Sequence, residues 1–334
     1  VSEMVAIGEI ESARERIKNH IATTTLAHSE SLSGQIGAPV FLKLENQQIT
    51  GSFKLRGATN AILSLSENER RHGVATASTG NHGRAVAHAA RAQNLPATIC
   101  LSSLVPRNKI EAIRQLGAKI CIIGSSQDEA MAEVARLERD EGVNVIPPFD
   151  DERVIAGQGT IGLEILEQQP EIDTILVPLS GGGLAAGIAA AVKAKRMQAG
   201  SQVKVIGISM QRGAAMHASL AAGKPVAVEE LETLADSLGG GIGLENRWTF
   251  NMCSALLDDV VLLDEEEIAA GIRHAAREEG VIIEGAAAVG IGALLAGKIR
   301  PRGPTAIIVS GGNIDPEQHQ AIIKNYPRRT VPTR

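Results

Sequence analysis

Short apolar runs alternating with longer stretches of helical spacing constrain this chain more than any other feature. PVFLKLE (39–45), GVATAS (73–78), PATICLS (96–102), AKICIIG (118–124) and NVIPPF (144–149) come first, and TILVPLS, VKVIGIS, DVVLLD and TAIIVSG resume the series further on. Between the first five lie TNAILSLSENERR, GRAVAHAARAQ, RNKIEAIRQLG and SSQDEAMAEVARLERDEG, whose apolar residues recur as on one face of a helix. Strands that alternate with helical stretches of this length suggest βαβ units, whose strands pair in parallel. The fold class is therefore α/β, with mostly parallel twisted sheets flanked by helices. Pro147-Pro148-Phe149-Asp150-Asp151 interrupts the series and is the hinge candidate. Residues 50–149 are expected to form a small mobile domain, and 1–49 with 150–334 the large one.

Charge and cysteine usage narrow the function classes. Thirty-three basic against thirty-eight acidic residues give a net charge of -5. No basic block interleaved with aromatics is present to track a phosphate backbone, so nucleic acid is not an expected partner. Cys100, Cys121 and Cys253 are odd in number and lack CxxC pairing, which argues against a disulfide framework or a zinc site and for a reducing compartment. The opening stretch VSEMVAIGEIESARERIKNH is charged throughout and has no apolar signal core, so the expected location is the cytoplasm. One segment, Thr174 to Val192, has the length of a membrane span. Its Pro178, Ser180 and three consecutive glycines indicate instead a buried strand, a tight loop and a buried helix.

Two strand-to-helix junctions are suited to anions. Ser180-Gly181-Gly182-Gly183-Leu184 follows ILVPL and opens LAAGIAAAVKA, an arrangement that aims free backbone N–H groups and the positive end of a helix at a phosphate. A plain tight turn and a dinucleotide site are the alternatives. The dinucleotide fold wants an acidic residue at the end of the next strand, and VKVIGIS ends in Ser209, which favours a smaller phosphate ester. Ser78-Thr79-Gly80-Asn81-His82-Gly83 forms the second junction, suited to a carboxylate, with Asn81 adding an amide donor. Asp236 to Gly243 is glycine-rich and expected to line a cleft, and IVSGGN ends near the carboxyl edge of the sheet with Ser310.

The order GSFKLRG, STGNHG, SGGGL, ADS with a glycine run, and SGGN resembles the fold-type II pyridoxal-phosphate enzymes, in the branch of serine/threonine dehydratases and serine racemases. The likeness runs from about Arg16 to about Asn313. It implies a two-lobed fold like that of the tryptophan synthase beta chain, pyridoxal 5′-phosphate as cofactor, and a homodimer acting on a small amino-acid-like substrate. LADSLGGGIGLENRWTF and PPFDDERVIAGQGTIGLE are similar to dehydratases linked to hydroxyectoine utilisation. By the same resemblance Lys54 carries the cofactor as an imine and acts as the catalytic base, a use that needs a partly desolvated amine. Phe53 packs on the pyridine ring, unless it is an ordinary core residue. Gly181, Gly182, Gly183 and Leu184 hold the phosphate, Asn81 the ring hydroxyl, and Ser78, Thr79, Gly80, Asn81 and His82 the substrate carboxylate. Glu284, in VIIEGAAAVG, supports the cofactor or is structural.

Ser310 would face the pyridine nitrogen, and a neutral hydroxyl there does not hold that nitrogen protonated, so the ring is a weak electron sink and loss of a β-hydroxyl is favoured over transamination. The expected activity is a dehydratase (ammonia-lyase) yielding an oxo acid and ammonia. The alternative is a serine or aspartate racemase, which needs a second acid/base on the other face of Cα, where this chain has the β-branched Thr79. Three departures from the family pattern qualify the picture. Ser209 to Ala215 contains no carboxylate, so no metal site is expected there; Ser237 replaces a glycine beside the ring; and no allosteric module is expected beyond Asn313.

Overall fold

The computed structural model describes residues 4–78, 80–105 and 107–324, without the side chains of Asn108 and Lys109. Its strands are β1 Leu26–His28, β2 Val40–Leu44, β3 Val74–Ala77, β4 Ala97–Leu101, β5 Lys119–Ile122, β6 Asn144–Val145, β7 Thr174–Pro178, β8 Lys204–Met210, β9 Asp259–Leu263 and β10 Thr305–Val309. They form two sheets, one in the order β1-β2-β10-β7-β8-β9 and one in the order β5-β4-β3-β6. Every pairing is parallel except β1 with β2.

Each apolar run of the sequence contains one of these strands. β7 and β10 are buried at every position, which is why their sequences do not alternate. Helices cover both faces of the larger sheet. Ile155, Ile161, Ile188 and Met252 pack on one side, and Ile268, Ile272, Val289 and Ile291 on the other. The smaller sheet lies against Leu55, Ile62, Ala85, Val86 and Ile113 on one face and against Ala130, Val134 and Leu137 on the other.

Three readings of the sequence change. TNAILSLSENERR is not one helix: Lys54–Leu63 ends, and Ser66 starts Glu67–His72 with a capping box to Glu69. NVIPPF pairs only at Asn144 and Val145, because Pro147 and Pro148 have no N–H to give the ladder. β1 has no counterpart among the predicted strands, since three residues are too few to show a pattern. Thr174 to Val192 is β7, a glycine loop and the start of helix Gly183–Gln198, and among the described residues no helix is long and apolar enough to cross a membrane.

Candidate active site

The site lies where strand order reverses. β7 runs next to β10 on one side and β8 on the other, and the carboxyl ends of β7 and β10 open the crevice in which open α/β sheets bind ligands. Ser180 and the glycines leave β7 there, and Ser310 leaves β10. The smaller sheet contributes Ser78 from the end of β3, which lies between β4 and β6.

Lys54 is delivered by a loop stitched to the end of β10. Phe53 N donates to Ser310 O at 3.0 Å, Gly312 N donates to Gly51 O at 2.9 Å, and Ser52 bridges Gly311. Helix Lys54–Leu63 then begins at the lysine itself. Its Nζ donates to Pro148 O at 2.6 Å and lies 5.2 Å from the centroid of the Phe53 ring. Burial lowers the Lys54 ammonium to about 8, against the opposing pull of the Glu284 carboxylate. A lysine in that state releases its proton near neutral pH, as a nucleophile and base must.

Glu284 faces this lysine from the start of helix Gly285–Leu295. Burial first, and then repulsion from Asp236, push its carboxyl up to about 7, while the amide of Asn81 pulls it back. Asn81 Nδ2 donates to Glu284 Oε1 at 2.8 Å, Asn313 Nδ2 donates to Asn81 Oδ1 at 2.6 Å, and Arg84 Nη1 donates to Asn313 Oδ1 at 2.7 Å. The amide assigned by resemblance to the ring hydroxyl thus donates here to a carboxylate. Ser237 is exposed and, among the described residues, bonded to its neighbour Asp236.

Gly80 and Asn81 start helix Asn81–Ala92, whose positive end points from the end of β3. His82 turns its ring inward, where one nitrogen, Nε2, lies 2.8 Å from Ile146 O. Since a carbonyl only accepts, Nε2 carries the proton. Burial, then the nearby Lys54, lower this imidazole to about 3, so it stays neutral. His82 therefore serves the loop through its backbone, its ring being committed to the end of β6. Thr79 lies outside the described residues.

Gly182 has φ +91°, a left-handed conformation that favours glycine. Among the described residues, the backbone N–H groups of Gly181, Gly182 and Gly183 have no acceptor. A Cβ at Gly181 would come within 2.3 Å of the Phe149 ring, and one at Gly182 within 2.9 Å of Cys253 Sγ. Unspent donors at the head of a helix, in a loop too tight for side chains, form an anion cradle, with Leu184 in the first turn behind it. Ser310 is buried, with no carboxylate in its place. These residues fit a phosphorylated pyridine whose aldehyde reaches Lys54. Motif reading missed Phe149, which walls the cradle; the local sign was the proline pair before it.

Comparison with known proteins identifies the family. The family model of the pyridoxal-phosphate dependent enzyme matches residues 17–311. A Sinorhizobium fredii protein provisionally named a threonine dehydratase is 58% identical, with 98% of this chain and 97% of that one covered. The L-threonine ammonia-lyase of Thermotoga maritima is 41% identical, over 96% of this chain and 78% of its own. The structure of maize serine racemase superposes with a TM-score of 0.89 at 33% identity, covering 96% and 98% of the two chains.

Proposed function

The chain belongs to the pyridoxal-phosphate dependent enzymes, and from that premise we propose that it eliminates the β-hydroxyl of a β-hydroxy amino acid, L-threonine or L-serine, as water, after which hydrolysis of the released enamine takes up one water and yields ammonia and an oxo acid. The observation that carries this reading is Lys54, a half-buried lysine lowered to about 8, in one crevice with the Gly181–Gly183 cradle and a neutral hydroxyl at Ser310. The names of the relatives at 58% and 41% identity support elimination over racemisation.

Pyridoxal phosphate, when bound, supplies an electron sink for the bonds at Cα. The protein does the rest. Gly181, Gly182, Gly183 and Leu184 would hold the phosphate with backbone N–H groups. Phe53 and Asn81 would flank the ring, and Ser310 would offer its nitrogen a neutral hydroxyl that does not fix a proton there. The head of helix Asn81–Ala92, with Ser78, Gly80 and His82, orients the substrate carboxylate. Lys54, freed as a neutral amine, takes the α-proton, and the Pro148 carbonyl at 2.6 Å receives an N–H of that amine and so aims its lone pair. Glu284 keeps Asn81 in place through the 2.8 Å bond.

In this reading residues 50–149 are a small mobile domain that closes on the rest and excludes water. The separate sheet within residues 74–145 supports that division. Homodimerisation and a role in hydroxyectoine breakdown rest on the sequence resemblance, and a cytoplasmic location on the cysteine usage. The test is to supply L-threonine, L-serine and hydroxyectoine-derived β-hydroxy compounds and follow ammonia and oxo acid together. Equimolar release of both is expected. Accumulation of D-serine from L-serine faster than pyruvate would make the racemase reading correct instead.

A further inference from the structure

The segment after β6 makes a set of contacts that the chemistry above does not use. The carboxylate of Asp150 accepts three consecutive backbone N–H groups about a hundred residues away in sequence. Oδ2 takes Arg247 N at 2.7 Å, and Oδ1 takes Trp248 N and Thr249 N at 2.8 Å each. These are the orphan donors at the head of helix Thr249–Leu256, satisfied by a side chain from outside the helix.

Both elements joined in this way touch the glycine loop. Phe149, next to Asp150, meets it on one side: its ring fills the place of a Gly181 side chain, and its carbonyl lies 2.9 Å from where a Gly183 Cβ would be. The helix meets the loop on another side, with Thr249 Cβ 3.1 Å and Cys253 Sγ 2.9 Å from the corresponding Gly182 position. The Cys253 thiol also points at Gly182 O, 3.7 Å away, and burial pushes it up to about 12, so it stays a protonated donor.

We propose that Asp150 is a positioning residue for the phosphate cradle: by tying Phe149 to the head of helix Thr249–Leu256 it clamps the Gly181–Gly183 loop between them. The proposal rests on the reading of that loop as the phosphate site. Pre-shaping matters because three glycines left unclamped would sample many conformations, and ordering them at binding would cost affinity.

The experiment measures pyridoxal phosphate affinity, its dissociation rate and the 31P resonance of bound cofactor in wild type, Asp150→Ala, Asp150→Asn and Gly181→Ala, beside the melting temperature of each cofactor-free protein. Asp150→Ala should weaken cofactor binding about tenfold, through faster dissociation, and broaden the 31P line. Asp150→Asn retains one accepting oxygen and should fall between, which also keeps the test readable if the alanine variant does not fold. A lower melting temperature in both Asp150 variants with unchanged affinity and 31P line would overturn the clamp and leave a merely structural cap. If Gly181→Ala binds cofactor as wild type does, the cradle reading fails and the clamp with it. If Gly181→Ala weakens binding and neither Asp150 variant does, the clamp alone fails.

Discussion

Lys54 and Glu284 titrate within reach of each other, and the order in which they do so decides the reactivity of the lysine. The carboxyl, at about 7, is ionised by the time the ammonium, at about 8, begins to lose its proton. Its negative charge therefore stabilises the ammonium and opposes the lowering that burial produces. Only the neutral amine attacks an aldehyde. Uptake of pyridoxal phosphate by the cofactor-free protein, followed by stopped-flow absorbance, should accelerate as pH rises through about 8 and then level off. Glu284→Gln keeps the oxygen that accepts from Asn81 but removes the charge, and should move that midpoint down by on the order of one unit. A midpoint that stays put or rises would show that Glu284 does not face the lysine. At this scale Gly181 to Gly183 and Ser310 stand out in the sequence because each follows an apolar run, whereas Lys54, well beyond the end of PVFLKLE, is singled out by the family resemblance. Asp150 was not legible, since its partners lie 97 to 99 residues along the chain and nothing in PPFDD points to them.

The elements of the fold were legible where burial on both faces leaves an unbroken apolar run, and illegible where pairing depends on what lies opposite. β1 is antiparallel and only three residues long, held in place by β2. How helices cross was equally hidden. Helix Glu152–Gln168 reads as an ordinary apolar stretch interrupted by glycines, yet Gly157 is where helix Lys54–Leu63 passes closest. A Cβ at Gly157 would lie 2.7 Å from Arg56 O and 2.7 Å from Gly57 Cα, both main-chain atoms of the lysine-bearing helix. Backbone cannot rotate aside as a side chain can, so Gly157→Ala must push the two helices apart, at a cost of about 1–3 kcal/mol. The expected result is a lower denaturant midpoint together with a weaker visible absorbance from lysine-linked cofactor, since Lys54 moves with its helix. An unchanged midpoint would mean that the crossing is looser than drawn.

Across the whole molecule the two sheets are joined by two kinds of contact, and the difference decides which part a closing motion would carry. Arg56 is fully buried and forks onto Glu45 at 2.8 Å through Nε and Nη2, and onto Glu164 at 2.7 and 2.9 Å through Nη1 and Nη2, while Lys43 reaches Glu164 at 2.6 Å. Breaking such a network strands a buried charge at a cost of about 3–5 kcal/mol, so helix Lys54–Leu63 is fixed to the larger sheet. On its other face the same helix meets the smaller sheet through Leu55, Ala58 and Ile62, contacts without direction that can slide. Other links, among them Asn81 to Glu284, Asn313 to Asn81, Arg84 to Asn313 and Gln93 to His20, are part-buried or exposed hydrogen bonds. Closure should therefore carry residues 74–145 and leave the helix of Lys54 behind, although the division at residue 50 places that helix in the small part. In cofactor-loaded enzyme, adding L-alanine, which has no β-hydroxyl to lose, should slow amide hydrogen exchange at the loop after β3 and the head of helix Asn81–Ala92. Exchange within Lys54–Leu63 should stay as it was. Equal protection of both segments would mean that the lysine helix travels with the smaller sheet, and that the Arg56 network bends rather than bolts.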